Sequence, residues 1–163
     1  MATFNNHIEQ AKRNLAFLQE VNSTNTKNWD WQITIAFYSA VHTVNAHLAT
    51  VGNLHYRTHA DVKNALNPHN STALCKIPEE VYLAYTKLEG LSRRVRYLCH
   101  DQPSNHSSDQ FLTYDKHFAK AIKNLDILLD FFNRLYNLNI GSIGIKCLEL
   151  NNNTPLKIFS IIK

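Results

Sequence analysis

NWDWQITIAFYSAVHTVNAHLATV, Asn28 to Val51, is the stretch whose reading decides the fold. It holds no proline or glycine and a single charged residue, Asp30, so nothing interrupts a helix over its whole length. Ile33, Phe37, Ala40, Val41, Val44, Leu48 and Val51 recur at helical spacing and form one apolar stripe over roughly six turns. Trp31, Ile35, Tyr38, His42, Asn45 and Ala49 form a second stripe, mixed aromatic and polar rather than charged. A helix so poor in charge on all sides is buried on more than one of them. The expectation is a central helix, its second stripe available for a contact between two copies of the chain.

The flanking segments supply its partners. Upstream, Phe4, Ile8, Ala11, Leu15, Leu18 and Val21 predict an amphipathic helix over 4–21, with Thr3 as its cap, broken by the polar run 22–27. Downstream, Gly52 is a natural stop, and Thr58-His59-Ala60-Asp61 has the form of a capping box opening a short helix to about Leu66. Asn67-Pro68-His69-Asn70-Ser71 ends that helix; Pro78, Glu79 and Glu80 then start another that reaches His100. Residues 101–110, polar and with a proline, read as an exposed loop. From Thr113 to about Asn137, nine apolar positions make the strongest amphipathic pattern in the chain. These elements predict an all-α protein: a helical bundle over residues 1–137. A C-terminal tail over 138–163 follows, either paired as a β-hairpin or loosely held.

With 163 residues the chain suits one domain, and four glycines and four prolines leave long uninterrupted runs, which favours helix. Seventeen Lys and Arg against 13 Asp and Glu leave +4, a mildly cationic balance that permits a nucleic-acid partner. Cys75, Cys99 and Cys147 form no C-x-x-C pair and fit a reducing cytosol. No stretch approaches a membrane span, and Met1 to His7 lacks the pattern of an export signal, so a cytoplasmic location is expected.

Several chemistries are poorly supported. Nine histidines invite a metal, but no H-E-x-x-H or Cys/His zinc pattern occurs, and His42 and His47 lie about 140° apart on a helix. His42 reads as a buried histidine hydrogen-bonded to a neighbour. Glycines at 52, 90, 141 and 144 make no phosphate loop, and Ser92, although near His100, has no nucleophile elbow. Neither a metal nor any other cofactor is expected.

The segment Leu91 to His100, LSRRVRYLCH, concentrates positive charge. On a helix Arg93, Arg96 and His100 share an arc of roughly 60° with Glu89 and Tyr82, and Arg94 points elsewhere. A histidine beside arginines matches one definite reaction, metal-free RNA cleavage. That reaction needs a base for the 2′-hydroxyl, an acid for the leaving oxygen and a cation for the phosphorane-like charge. The plainer reading pairs Glu89 with Arg93 as an exposed ion pair and leaves Arg96 and His100 solvated.

Three segments together, AFYSAVHTVNA (36–46), YRTHADV (56–62) and the arginine-rich helix ending at His100, followed by a long amphipathic helix, resemble the HEPN superfamily over residues 4 to about 137. The resemblance implies a four- or five-helix up-and-down bundle that forms a homodimer. In active members it implies an Arg-x(4–6)-His motif acting as a metal-independent endoribonuclease across the dimer. It nominates His100 with Arg93 or Arg94 as catalytic, and Arg93, Arg96 and Tyr97 as RNA-binding. Arg93 is followed by Arg94 and Arg94 by Val95, where active members commonly carry a polar residue, often asparagine. The implied setting is a toxin–antitoxin or defence system, with an antitoxin or nucleotidyltransferase as partner. The implied alternative is a noncatalytic module that binds RNA, a nucleotide or a protein through the arginine-rich helix.

Overall fold

A computed structural model describes residues 2–24, 28–56, 58–97, 107–150 and 155–162, without the side chains of residues 97 and 107–114. Five helices stand among them: α1 (Phe4–Thr24), α2 (Trp29–Val51), α3 (His59–Leu66), α4 (Glu79–Tyr97) and α5 (Ser107–Tyr136). They form an all-α bundle with α2 at its centre, touching all four others. The first apolar stripe of α2 is why: Ile33, Phe37, Ala40, Val44 and Leu48 are wholly buried, and burying side chains of this size stabilises by about 1.5–3 kcal/mol each. The hydroxyls that go inside with them are satisfied within the helix, Thr34, Ser39 and Thr43 each donating to a carbonyl four residues back.

α1 runs three residues past its expected end. Ser23 and Thr24 turn their hydroxyls back onto the Glu20 carbonyl, and Asn22 is fully buried, its amide donating to Gln32 Oε1 at 2.8 Å. Of these polar residues that favour turns, Asn22 is held in the helix by a tertiary partner, and Ser23 and Thr24 by bonds back to their own last turn. α5 also begins earlier than expected, taking in 107–110; Ser107, Ser108 and Asp109 are residues that favour a helix N-terminus.

Gly52 caps α2 by donating to the Leu48 carbonyl, and Asn53 rather than the glycine takes the left-handed conformation, φ 50°. What requires glycine is close approach: a Cβ there would stand 2.7 Å from Leu54 Cδ1 and 2.8 Å from Cys75 Sγ. Thr58 caps α3 as its spacing predicts, its hydroxyl oxygen accepting from the Asp61 N–H.

The tail is neither a hairpin nor loose. β1 (Ile143–Ile145) and β2 (Phe159–Ile161) pair in parallel, Ile143 opposite Phe159, which a tight turn cannot connect. Two buried polar residues of the bundle hold it there. Asn22 clamps the Lys146 backbone, accepting from its N–H at 2.6 Å and donating to its carbonyl at 2.9 Å. Asp126 of α5 accepts the backbone N–H groups of Lys157, Ile158 and Phe159 at 2.9, 2.8 and 3.1 Å. Ile143, Ile145, Leu150, Ile158 and Phe159 join the core of the bundle. No helix among the described residues is long and apolar enough to cross a membrane.

Candidate functional site

Apolar spacing on α4 sends Val81, Ala84, Tyr85, Leu88 and Val95 into the core, and the helix carries a polar line beside them over its last turns: Glu89, Ser92 and Arg96. This line packs on α2 and α3. Tyr85 lies against Phe37, ring centroids 6.0 Å apart; Glu89, only 5% exposed, pairs with Lys63 of α3 at 3.0 Å; and the Arg96 guanidinium stands over the Tyr38 ring, 6.0 Å from its centroid. Arg96 Nε also donates to the Ser92 carbonyl at 3.2 Å. Burial, and then the neighbouring Glu89 charge, push the Tyr85 phenol upward, so it stays protonated.

The Glu89–Lys63 pair changes the expected electrostatics of the arginine segment. An exposed Glu89–Arg93 pair does not form, because Glu89 faces inward and α3 meets it with an ammonium. Arg93 and Arg94 are exposed and have no carboxylate partner among the described residues. The charge of Arg94 acts on α5: the His117 imidazole is held below its usual pKa first by burial, then by the charges of Arg94 and Lys120. α4 and α5 therefore present one positive patch. Sequence reasoning centred on Leu91 to His100 missed His117, although Lys116, His117, Lys120 and Lys123 recur along one segment of α5. Of the residues nominated from the sequence, Arg94 and Arg96 lie in the last turn of α4 with Arg93 just before it, whereas His100 and the side chain of Tyr97 lie outside the described residues.

On the other side of Tyr38, the second stripe of α2 faces α1 across a groove of about 550 Å³. Trp31, 64% exposed, Phe17 and Tyr38 supply its aromatic walls, and Gln10, Asn14 and His42 its polar groups. His42 was expected to be buried; it is half-buried, and its Nδ1 shares a proton with His7 Nδ1 at 3.2 Å. One imidazole must donate and the other accept, so at least one Nδ1 of the pair carries no proton. Both rings are held below the usual histidine range, which favours their neutral forms: burial comes first, and then repulsion of a second proton by neighbours, His55 for His7, and His7 and Arg13 for His42.

The deeply buried histidine is instead His47, 5% exposed. Its Nε2 lies 3.2 Å from the Cys75 carbonyl, which only accepts, so Nε2 carries the proton and Nδ1 accepts from the Tyr136 hydroxyl at 2.7 Å. This imidazole ties α2 to α5 and to the segment after α3, which is structural work. Cys75 and Cys147 are free thiols; Cys147 donates to Asp115 Oδ1 at 3.0 Å and is pushed up to about 12 by burial and then by that carboxylate. Among the described residues no three His, Cys, Asp or Glu side chains gather to hold a metal ion.

Compared with family models, with curated proteins and with solved structures, the chain matches none, so its function has to be argued from the α4–α5 patch and the groove beside it.

Proposed function

We propose that the protein is a HEPN-like, RNA-directed domain that engages RNA phosphates through Arg93 and Arg94 at the end of α4. One observation carries the reading: Lys63 neutralises Glu89, which leaves the two arginines facing solvent. The charges of Arg94 and Lys120, which act together at His117 after the larger effect of its burial, support it, since cations gathered in this way favour an anion. Arg93 to Tyr97 is the segment for RNA contact, with Arg96 held over Tyr38.

In its catalytic form the proposal makes the protein a metal-independent endoribonuclease of a toxin–antitoxin or defence system. His100 then acts as general acid and base, Arg93 or Arg94 holds the scissile phosphate, and two copies complete the site as a homodimer. An antitoxin or a nucleotidyltransferase is the corresponding protein partner. The noncatalytic form differs by one group, because binding needs the arginines and cleavage also needs His100.

Purified protein incubated with single-stranded RNA in EDTA tests both. Cleavage that survives chelation and vanishes in His100→Ala establishes the ribonuclease. Intact RNA with salt-sensitive binding establishes the binding module. Neither cleavage nor salt-sensitive binding removes RNA from the account altogether.

A further inference from the structure

The groove between α1 and α2 has a composition that the phosphate contacts leave unused. Its walls are aromatic, its polar groups are carboxamides, the Thr34 hydroxyl and the His42 imidazole, and no Asp, Glu, Lys or Arg lines it. Such a lining rejects a charged ligand, which would lose its hydration without gaining a counter-charge. It suits a flat, neutral heteroaromatic ring with hydrogen-bonding edges. Trp31 offers a large face to stack on, and an indole 64% exposed on a helix whose other apolar stripe is buried from Ile33 to Leu48 is a surface waiting for a partner.

The polar groups are positioned for such an edge. Gln10 Nε2 donates to Asn14 Oδ1 at 2.9 Å, and Arg13 donates to Gln10 Oε1 at 2.8 Å, so the Gln10 carboxamide is fixed at both ends. Among the described residues the Asn14 amide nitrogen donates to no protein acceptor. His42, with Nδ1 engaged by His7, keeps Nε2 for a ligand, as donor or acceptor according to which ring of the pair holds the shared proton. The volume, about 550 Å³, lies in the ordinary range of small-ligand sites and exceeds what one purine fills.

We propose that this groove is a nucleobase site, taking an unpaired base of the RNA strand whose phosphates lie on Arg93 and Arg94. The inference rests on the RNA reading above and deepens it. Tyr38 is the link: its ring lines the groove and also carries the Arg96 guanidinium, so groove and arginine segment are one continuous surface. Single strands are held in this way elsewhere, by cations that track the backbone and aromatic faces that stack the bases.

The closing experiment reads the base without the phosphate. In proton–nitrogen correlation spectra of the whole chain, Trp31 and Trp29 give the only two indole N–H signals, and Trp29, packed on Phe118 at 4.9 Å between centroids, serves as the internal control. Adenosine is expected to move the Trp31 signal saturably at millimolar concentration, on the order of what one stacked base supports. Trp29 should shift far less, and ribose 5-phosphate should do nothing. The Arg93→Ala/Arg94→Ala double variant should respond to adenosine as the native chain does. Trp31→Ala, at an exposed position where folding is not at stake, should weaken a single-stranded oligonucleotide about 5- to 100-fold and leave an abasic strand unaffected.

An unmoved Trp31 signal overturns the inference even where RNA still binds the arginines. A saturable adenosine response in a protein that binds no RNA upholds the nucleobase site and overturns the RNA reading instead. Conversion of a dimer to a monomer by Trp31→Ala, with adenosine inert, makes the groove a contact between copies and also overturns it.

Discussion

Asp126 and Glu89 are both carboxylates withdrawn from water, 3% and 5% exposed, and the fold neutralises them in opposite ways. Asp126 is met by three successive backbone N–H groups of residues 157–159, so its charge organises chain: it fixes where the tail returns and sets β2 beside β1. Glu89 is met by one side chain, Lys63, itself 31% exposed, and the consequence falls on side chains rather than backbone. With Glu89 occupied, Arg93 and Arg94 are left for solvent and for a ligand. One buried charge makes architecture, and the other decides which cations remain available. A carboxylate held by amides has no rival for its partner, whereas one held by an ammonium sits beside arginines that would replace it.

Asp126→Ala breaks the first half of that contrast and should have the largest effect. The buried N–H groups of Ile158 and Phe159 and the part-buried one of Lys157 lose their acceptor, at about 1 kcal/mol or more for each buried group, so urea denaturation should show at least about 2 kcal/mol of lost stability. Asp126→Asn, which keeps an acceptor oxygen, should recover part of it. A loss under about 1 kcal/mol for the alanine variant would mean the tail docks by its apolar residues alone.

Lys63→Met tests the second half. Removing one partner of a mostly buried pair should destabilise by about 1–3 kcal/mol, below the fully buried case because Lys63 is partly solvated. Glu89→Gln in the same background should restore most of that. Lys63→Met should also reduce RNA affinity, since Glu89 then competes for the arginines; unchanged affinity would separate the pair from the binding face.

A pH scan sharpens the comparison by titrating histidines rather than carboxylates. His7, His42, His47 and His117 all have folded pKa values lowered, chiefly by burial. The unfolded chain binds more protons in that window, so the stability they contribute is present above about pH 6.5 and is lost as pH falls toward the folded values. Melting temperatures measured from pH 7.5 down to 5.5 should therefore decline, and His47→Asn should flatten that slope. Smallest in stability is Arg93→Ala, expected within about 0.5 kcal/mol of the native chain because the residue is exposed and unpaired among the described residues. Its effect belongs to RNA binding, where the slope of log affinity against log salt should fall by about 0.7.

Much of the fold was legible in the spacing of apolar residues. The central place of α2 follows from a stretch with one charge and two stripes, and the ends of α3 follow from Thr58 and from Asn67-Pro68. Where the reading strayed, a tertiary partner outvoted a local preference. Asn22 stays helical because Gln32 and Lys146 receive its amide, and the tail pairs in parallel because Asp126 and Asn22 hold it from two sides. The candidate site divided similarly. Arg93, Arg94 and Arg96 were placed on one helix turn by sequence alone, but the inward turn of Glu89, the effect of the Arg94 charge on His117 and the groove beside Tyr38 were not visible there.

By itself the sequence determined the helices, the stripe that α2 buries and the gathering of arginines at the end of α4, because periodicity and charge act between residues a few positions apart. Only the tertiary structure decided the partner of Glu89, the neighbour of Arg94 and the route of the tail. Those depend on which side chains from distant helices arrive at the same point, and a buried charge accepts whichever partner the packing brings to it.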